Sequence, residues 1–163
     1  MPQEILQKQD TTITWTSAGG DEVLTLTSLA DGAGRQGDEH DFGATYAALV
    51  RVELTLDFNV APTAGNFVDV YWSSSSDGTS YDGECTGSDA AYDDENKMKR
   101  LHWIGSLVCT NDTDPQRRSW MFYMPSRYGV PVISNRSGQA LTATGTDQIL
   151  DVTPIIDEVQ DAP

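Results

Sequence analysis

The sequence predicts an all-β fold, an antiparallel two-sheet β-sandwich of jelly-roll type with about eight strands, and three observations lead to it. Val50, Val52, Leu54, Leu56, Phe58 and Val60 alternate with Arg51, Glu53, Thr55, Asp57 and Asn59, the period of two that a strand with one buried face imposes. No window of a dozen residues carries the i, i+3, i+4, i+7 apolar pattern free of glycine, which leaves at most a short helical turn near Asp89 to Met98. Short β-patterned runs are separated throughout by Gly, Pro, Asn and Ser turns, and strands of that kind bury their apolar faces by packing as two sheets.

In chain order, residues 1–10 precede the first pattern and hold Ile5 and Leu6 as their apolar pair. They are expected to form an extended, mobile arm that reaches about 33 Å, far enough to touch a neighbouring subunit. Thr11 to Thr16 places Ile13 and Trp15 on one face, and after the turn Ala18-Gly19-Gly20-Asp21 the run Glu22 to Leu29 reads as its hairpin partner. Residues 31–47, with Gly32, Gly34 and Gly37 beside Asp38, Glu39, His40 and Asp41, read as a charged, solvated connection. The alternation from Val50 to Val60 and that from Phe67 to Ser74, with Val68, Val70 and Trp72 on one side, predict a second hairpin across the turn at 61–66. A second long connection covers residues 75–99. Leu101 to Cys109 presents Leu101, Trp103, Leu107 and Cys109 on one face, Arg118 to Met124 presents Trp120, Phe122 and Met124, and Val130 to Ser134 and Gln148 to Ile155 complete the set. One domain, 11–157, and a C-terminal tail, 158–163, follow. Pattern alone leaves the connectivity open between a jelly roll, an immunoglobulin-like sandwich and an open barrel.

Twenty-five acidic residues against ten basic ones give a formal net charge of -15. Such a field repels phosphate backbones and anionic membranes, so neither nucleic acid nor a membrane surface is an expected partner, while a basic protein surface is favoured. No stretch approaches the length of an apolar membrane span, and MPQEILQKQD lacks the charged start and apolar centre of a secretory signal, which predicts a soluble chain. Cys85 and Cys109 have the option of pairing, but without a secretory signal free thiols are expected.

Candidate chemistry is sparse. Asp77, Asp82, Glu84, Asp89, Asp93, Asp94 and Glu95 crowd the second connection, yet their spacing does not match an EF-hand loop, so no metal or other cofactor is expected. There is no G-x-S-x-G, H-E-x-x-H, paired C-x-x-C or P-loop, and His40 and His102 are the only imidazoles; the expectation is a protein without catalytic residues. Tyr71, Trp103 and Tyr123 are candidate sugar-stacking rings, whereas Trp72 and Trp120 lie on apparent core faces. Arg117, Arg118, Arg127 and Arg136 fall within twenty residues beside Tyr123, Met124 and Tyr128, residue types that are enriched where proteins meet. Candidate interface residues are therefore Ile5, Leu6, Arg118, Tyr123, Arg127 and Tyr128.

In YAALVRVELTLD (46–57), NFVDVYWSSS (66–75), LHWIGSLV (101–108), PSRYGVPVISNRSGQ (125–139) and ALTATGTDQILDVTP (140–154), the chain resembles small virion structural proteins of tailed bacteriophages, most closely the capsid decoration or cement proteins. The resemblance implies a non-enzymatic subunit that stabilises a shell from outside, commonly as a homotrimer bound to the major capsid protein. It implies residence on the capsid exterior after assembly in the host cytoplasm. A tail- or fibre-associated virion protein, or a carbohydrate-binding module using Trp103, Tyr71 or Tyr123, would show much the same pattern.

Overall fold

The structure, a computed structural model, describes residues 3–144 and 147–161. In chain order its strands are β1 (Gln3–Gln9), β2 (Ile13–Thr16), β3 (Glu22–Val23), β4 (Gly34–Gln36), β5 (His40–Asp41), β6 (Leu49–Leu56), β7 (Phe67–Ser75), β8 (Ala90–Ala91), β9 (His102–Val108), β10 (Gln116–Tyr123), β11 (Tyr128–Arg136) and β12 (Ile149–Asp161). One helical turn, α1 (Glu95–Met98), lies between β8 and β9; Asp94 caps it by accepting from the backbone N–H groups of Asn96 and Lys97.

The first sheet runs β10-β6-β12-β2-β3, with β1 also paired to β12; the second runs β8-β4-β11-β7-β9, with β5 also paired to β11. Stripped of the short strands β3, β5 and β8 and of β1, eight principal strands remain, and numbered along the chain they lie 1-8-3-6 in one sheet and 2-7-4-5 in the other. That order is a jelly roll, the two-sheet solution predicted from the alternation and the turns. Val50, Val52, Leu54 and Leu56 on β6 are buried against Val68, Val70 and Trp72 on β7, with Trp15, Leu107, Ile133, Leu150 and Val152 in the same core.

Both predicted hairpins are different in the structure. β6 belongs to the first sheet and β7 to the second, so the turn at 61–66 crosses between sheets; alternation reports that each strand buries one face, and facing sheets satisfy it as well as adjacent strands do. Of Glu22 to Leu29, only Glu22–Val23 is a strand, and it runs parallel to β2. Leu24 and Leu26 are buried in the core without a ladder of their own. The missing principal strand is β4, inside the connection read as solvated. His40, in β5, sets its Nδ1 at 2.8 Å from the Glu22 carboxylate and packs edge-on against Trp15 and Phe42.

Two prolines sit inside long strands. Pro131 lies opposite Trp72 on the β7 side, and its carbonyl accepts from Gly37 on the other side, in the gap between β4 and β5. The carbonyl of Pro154 accepts from Asp10, in the gap between β1 and β2. Each ring therefore points its missing N–H where the neighbouring ladder is already interrupted, the one place a strand interior tolerates it.

The arm and the tail find each other. Gln3–Gln9 pairs in register with Ile155–Asp161, and Lys8 forms an ion pair with Glu158 at 3.3 Å. The extended arm expected to be mobile is therefore, over Gln3–Gln9, a paired strand, because its partner is far away in sequence, where local periodicity carries no information; residues 1–2 of the arm and 162–163 of the tail lie outside the described residues.

Residues 76–101 are also packed rather than solvated. Cys85, Tyr92, Met98 and Leu101 form a second core with Val130 and Val132 on the outer face of the second sheet. Its carboxylates have local tasks: Asp77 accepts from the N–H groups of Thr79 and Ser80, Asp89 holds Arg35 and the N–H of Thr25, Asp93 accepts from Gly34, and Glu84 pairs with Lys97 and Arg100. Among the described residues, no three His, Cys, Asp or Glu side chains gather as a metal site. Adding millimolar calcium is expected to leave the melting temperature unchanged. Asp93→Ala should lower it equally with calcium and with chelator, since the loss is the bond at 2.7 Å from the Gly34 N–H; a calcium-dependent rise in the wild type alone would contradict this.

Cys85 and Cys109 are both buried and free. Burial pushes the Cys109 thiol up to about 11. A thiol in an unfolded chain titrates near ~8.5, so above that pH the unfolded state loses a proton the folded state keeps, and stability falls. The stability advantage of wild type over Cys109→Ala, read from urea midpoints, should be full below that pH and shrink as pH rises toward about 11. An advantage that does not vary with pH would contradict it.

Candidate functional site

Beyond Ile155, β12 leaves β6 behind, and Ile156–Asp161 has β1 as its ladder partner. Six extended residues give a two-stranded ribbon about 20 Å long. Among the described residues neither edge of this ribbon is paired, so it offers two rows of backbone donors and acceptors.

The ladder register shows which side chains share a face. On the outer side of the first sheet, Tyr123 lies opposite Leu49, and Leu49 opposite Ile155. Two residues further out along β12 are Asp157, opposite Gln7, and Val159, opposite Ile5. Because alternate residues point the same way, Tyr123, Leu49, Ile155, Val159 and Ile5 form one line from the sheet onto the ribbon, interrupted by Asp157 and Gln7 between Ile155 and Val159, with Met121 beside it. Exposure is high along it: Tyr123 75%, Ile5 70%, Val159 58% and Met121 57%. At the base of the ribbon the line crosses a groove of about 410 Å³ whose wall mixes Tyr46, Leu49, Tyr123 and Ile155 with Gln7 and Asp157.

The other end of the same outer face has its polar groups satisfied internally. Glu53 binds both Arg51 and Arg117, the latter at 3.4 Å, and Thr14 donates to Asp151 at 2.7 Å. The face is therefore divided, with a cross-linked polar half and an uncovered apolar half. Exposed apolar side chains gathered on one face make it a candidate interaction site.

Of the predicted interface residues, Ile5 and Tyr123 fall on this line. Leu6 is exposed on the opposite ribbon face, opposite Glu158. Arg118 is exposed on the edge strand β10 and, among the described residues, forms no ion pair. Arg127 and Tyr128 are engaged within the chain: the guanidinium binds Asp41 through two bonds of 2.5 Å and stacks 4.7 Å over the Tyr128 ring, and that pairing holds the Asp41 carboxyl down at about 2. Arg136 pairs with Glu95 at 2.7 Å on the second sheet. The arginine island of the sequence is thus dispersed, because strands β10 and β11, adjacent in the chain, belong to different sheets. Met121, Leu49, Ile155 and Val159 were not singled out from the sequence. Their signal was present in the alternation of β6 and β10, but assigning an exposed face to the odd residues required knowing which strands were neighbours.

Ser74, Asp82 and His102 also meet, but not as a relay. The Ser74 hydroxyl donates to Asp82 Oδ2, and His102 Nε2 faces both, at 3.4 Å from Ser74 and 3.5 Å from Asp82. A nucleophile triad needs the acid on one ring nitrogen and the hydroxyl on the other. No helix among the described residues is long and apolar enough to cross a membrane. No protein-family model matches this chain, and no curated protein matches it.

Proposed function

We propose that this protein is a structural subunit that docks on other protein subunits through the apolar outer face of its first sheet and the β1–β12 ribbon. Its setting, on this reading, is the exterior of a tailed-phage capsid, where it acts as a decoration protein bound to the major capsid protein, as a homotrimer. The observation that carries the docking role is the line of exposed and half-buried apolar side chains Tyr123, Leu49, Ile155, Val159 and Ile5, running from sheet to ribbon on either side of Asp157. An apolar centre supplies the area of a protein contact, and a free ribbon edge supplies strand addition to a partner sheet. The jelly roll is a body used by capsid components, a likeness of architecture that adds support by analogy only.

With a net charge of -15, copies repel one another unless the contact itself is apolar or basic, and this line is the apolar surface that meets that need. Light scattering after size-exclusion gives the oligomer, and co-sedimentation with undecorated capsids gives the docking. Saturable binding of the full chain is the expected result. A chain that stays monomeric and fails to sediment with shells would overturn the proposal.

A further inference from the structure

The outer face of the second sheet carries a different kind of site. A cleft of about 350 Å³ lies among Tyr71, Trp103, Met98, Leu101, Glu95 and Arg136, with Lys99 also on its wall. Trp103 is 60% exposed, although tryptophan on a strand normally buries its ring.

A β-bulge is what turns it outward. The β7–β9 register slips between Val70 and Tyr71, so Val70 pairs with Gly105 but Tyr71 pairs with Trp103. Counting outward residues back from Ser106 by twos would reach Ile104. The extra residue shifts the parity, Ile104 packs against the main core instead, and Trp103 joins Tyr71 on the outer face. Both rings are then held by one buried carboxylate. Asp69, 7% exposed, accepts from the Tyr71 hydroxyl at 3.3 Å on Oδ2 and from Trp103 Nε1 at 3.5 Å on Oδ1, which also takes the Ser106 hydroxyl. A carboxylate taken out of water needs such donors, and here two of the three are the aromatic platform itself, so the rings are oriented before any ligand arrives.

The polar groups set the ligand class. Lys99 and Arg136 are balanced by Glu95 on the wall and by Asp69 beside it, leaving the cleft neutral within a chain of net charge -15. An anionic ligand meets the repulsion of the whole chain, and a cationic one finds no free carboxylate, since Glu95 is paired with Arg136 and Asp69 is taken up by Tyr71, Trp103 and Ser106. An uncharged ring with an apolar C–H face and hydroxyls at its edge fits each part: the C–H face stacks on Trp103, and the hydroxyls reach donors on Arg136 and Lys99 and acceptors on Glu95. We propose that this cleft binds a neutral saccharide, on the sheet opposite the docking surface and independently of it.

The test is a glycan array carrying neutral hexose and N-acetylhexosamine oligomers beside uronate- and sialate-bearing ones, followed by titration of each retained glycan. The expected result is retention of neutral glycans, with Trp103→Ala weakening them at least about tenfold and Trp103→Phe retaining part of the affinity. Arg136→Gln, which leaves both rings in place, is expected to weaken the same glycans, so the proposal remains testable even if Trp103→Ala fails to fold. Capsid sedimentation of Trp103→Ala should equal wild type, which separates this site from the docking role. No neutral glycan retained, equal retention by wild type, Trp103→Ala and Arg136→Gln, or preference for the acidic glycans would overturn the proposal.

Discussion

Replacing Trp72 by alanine is expected to cost about 3–5 kcal/mol, enough to bring a typical domain close to unfolding. The indole is fully buried where the two sheets face each other, 5.9 Å from Trp15, 6.0 Å from Phe42 and 6.4 Å from Phe122 between ring centroids. Its removal strips contacts from three other rings at once, and no single neighbour can collapse into the space. The same packing has a counterpart in the backbone. A Cβ added at Gly129 would overlap the Trp72 ring, so Gly129→Ala must displace either β11 or the indole, at about 1–3 kcal/mol or more. Trp72→Phe should be milder than either, because the Trp72 N–H finds no acceptor among the described residues and its loss removes an unpaired donor. Urea midpoints of the three variants check the order; an alanine variant as stable as the phenylalanine one would show that the rings are not the keystone of the core.

Tyr123→Glu and Val159→Asp are each expected to weaken attachment to the partner assembly by about thirtyfold or more, as loss of an apolar anchor does. Both side chains are more than half exposed, so melting temperatures should move by no more than a surface substitution does. Arg127→Glu should behave in the opposite way. Its guanidinium is held by Asp41 and lies over Tyr128, so reversing its charge sets two carboxylates against each other at the surface and lowers stability modestly while leaving the docking line intact. Co-sedimentation and melting curves measured on the same preparations separate the two behaviours. Undiminished attachment of both Tyr123→Glu and Val159→Asp would remove this face from the interface.

What the sequence determined by itself is whatever is local. The alternation of Val50 to Leu56, the turn residues between strands and the absence of helical periodicity established an all-β sandwich, because side-chain direction along a strand depends only on residue parity. Seven of the eight principal strands, β2, β6, β7, β9, β10, β11 and β12, carry that mark. β4 does not: three residues, Gly34–Gln36, are too few to show a period, and their glycine and charge read as loop. The tertiary structure alone decided which strands are neighbours. Arg127 and Arg136 were drawn away from Arg117 and Arg118 by a change of sheet, and Gln3–Gln9 and Ile155–Asp161 were joined into one ribbon. Trp103 was turned away from the face that alternation gave it in common with Leu107 and Cys109, and out to the surface, by a single inserted residue, because a one-residue slip inverts every side chain beyond it. Each of these depends on pairing between distant segments, a free-energy term that no window of neighbouring residues contains.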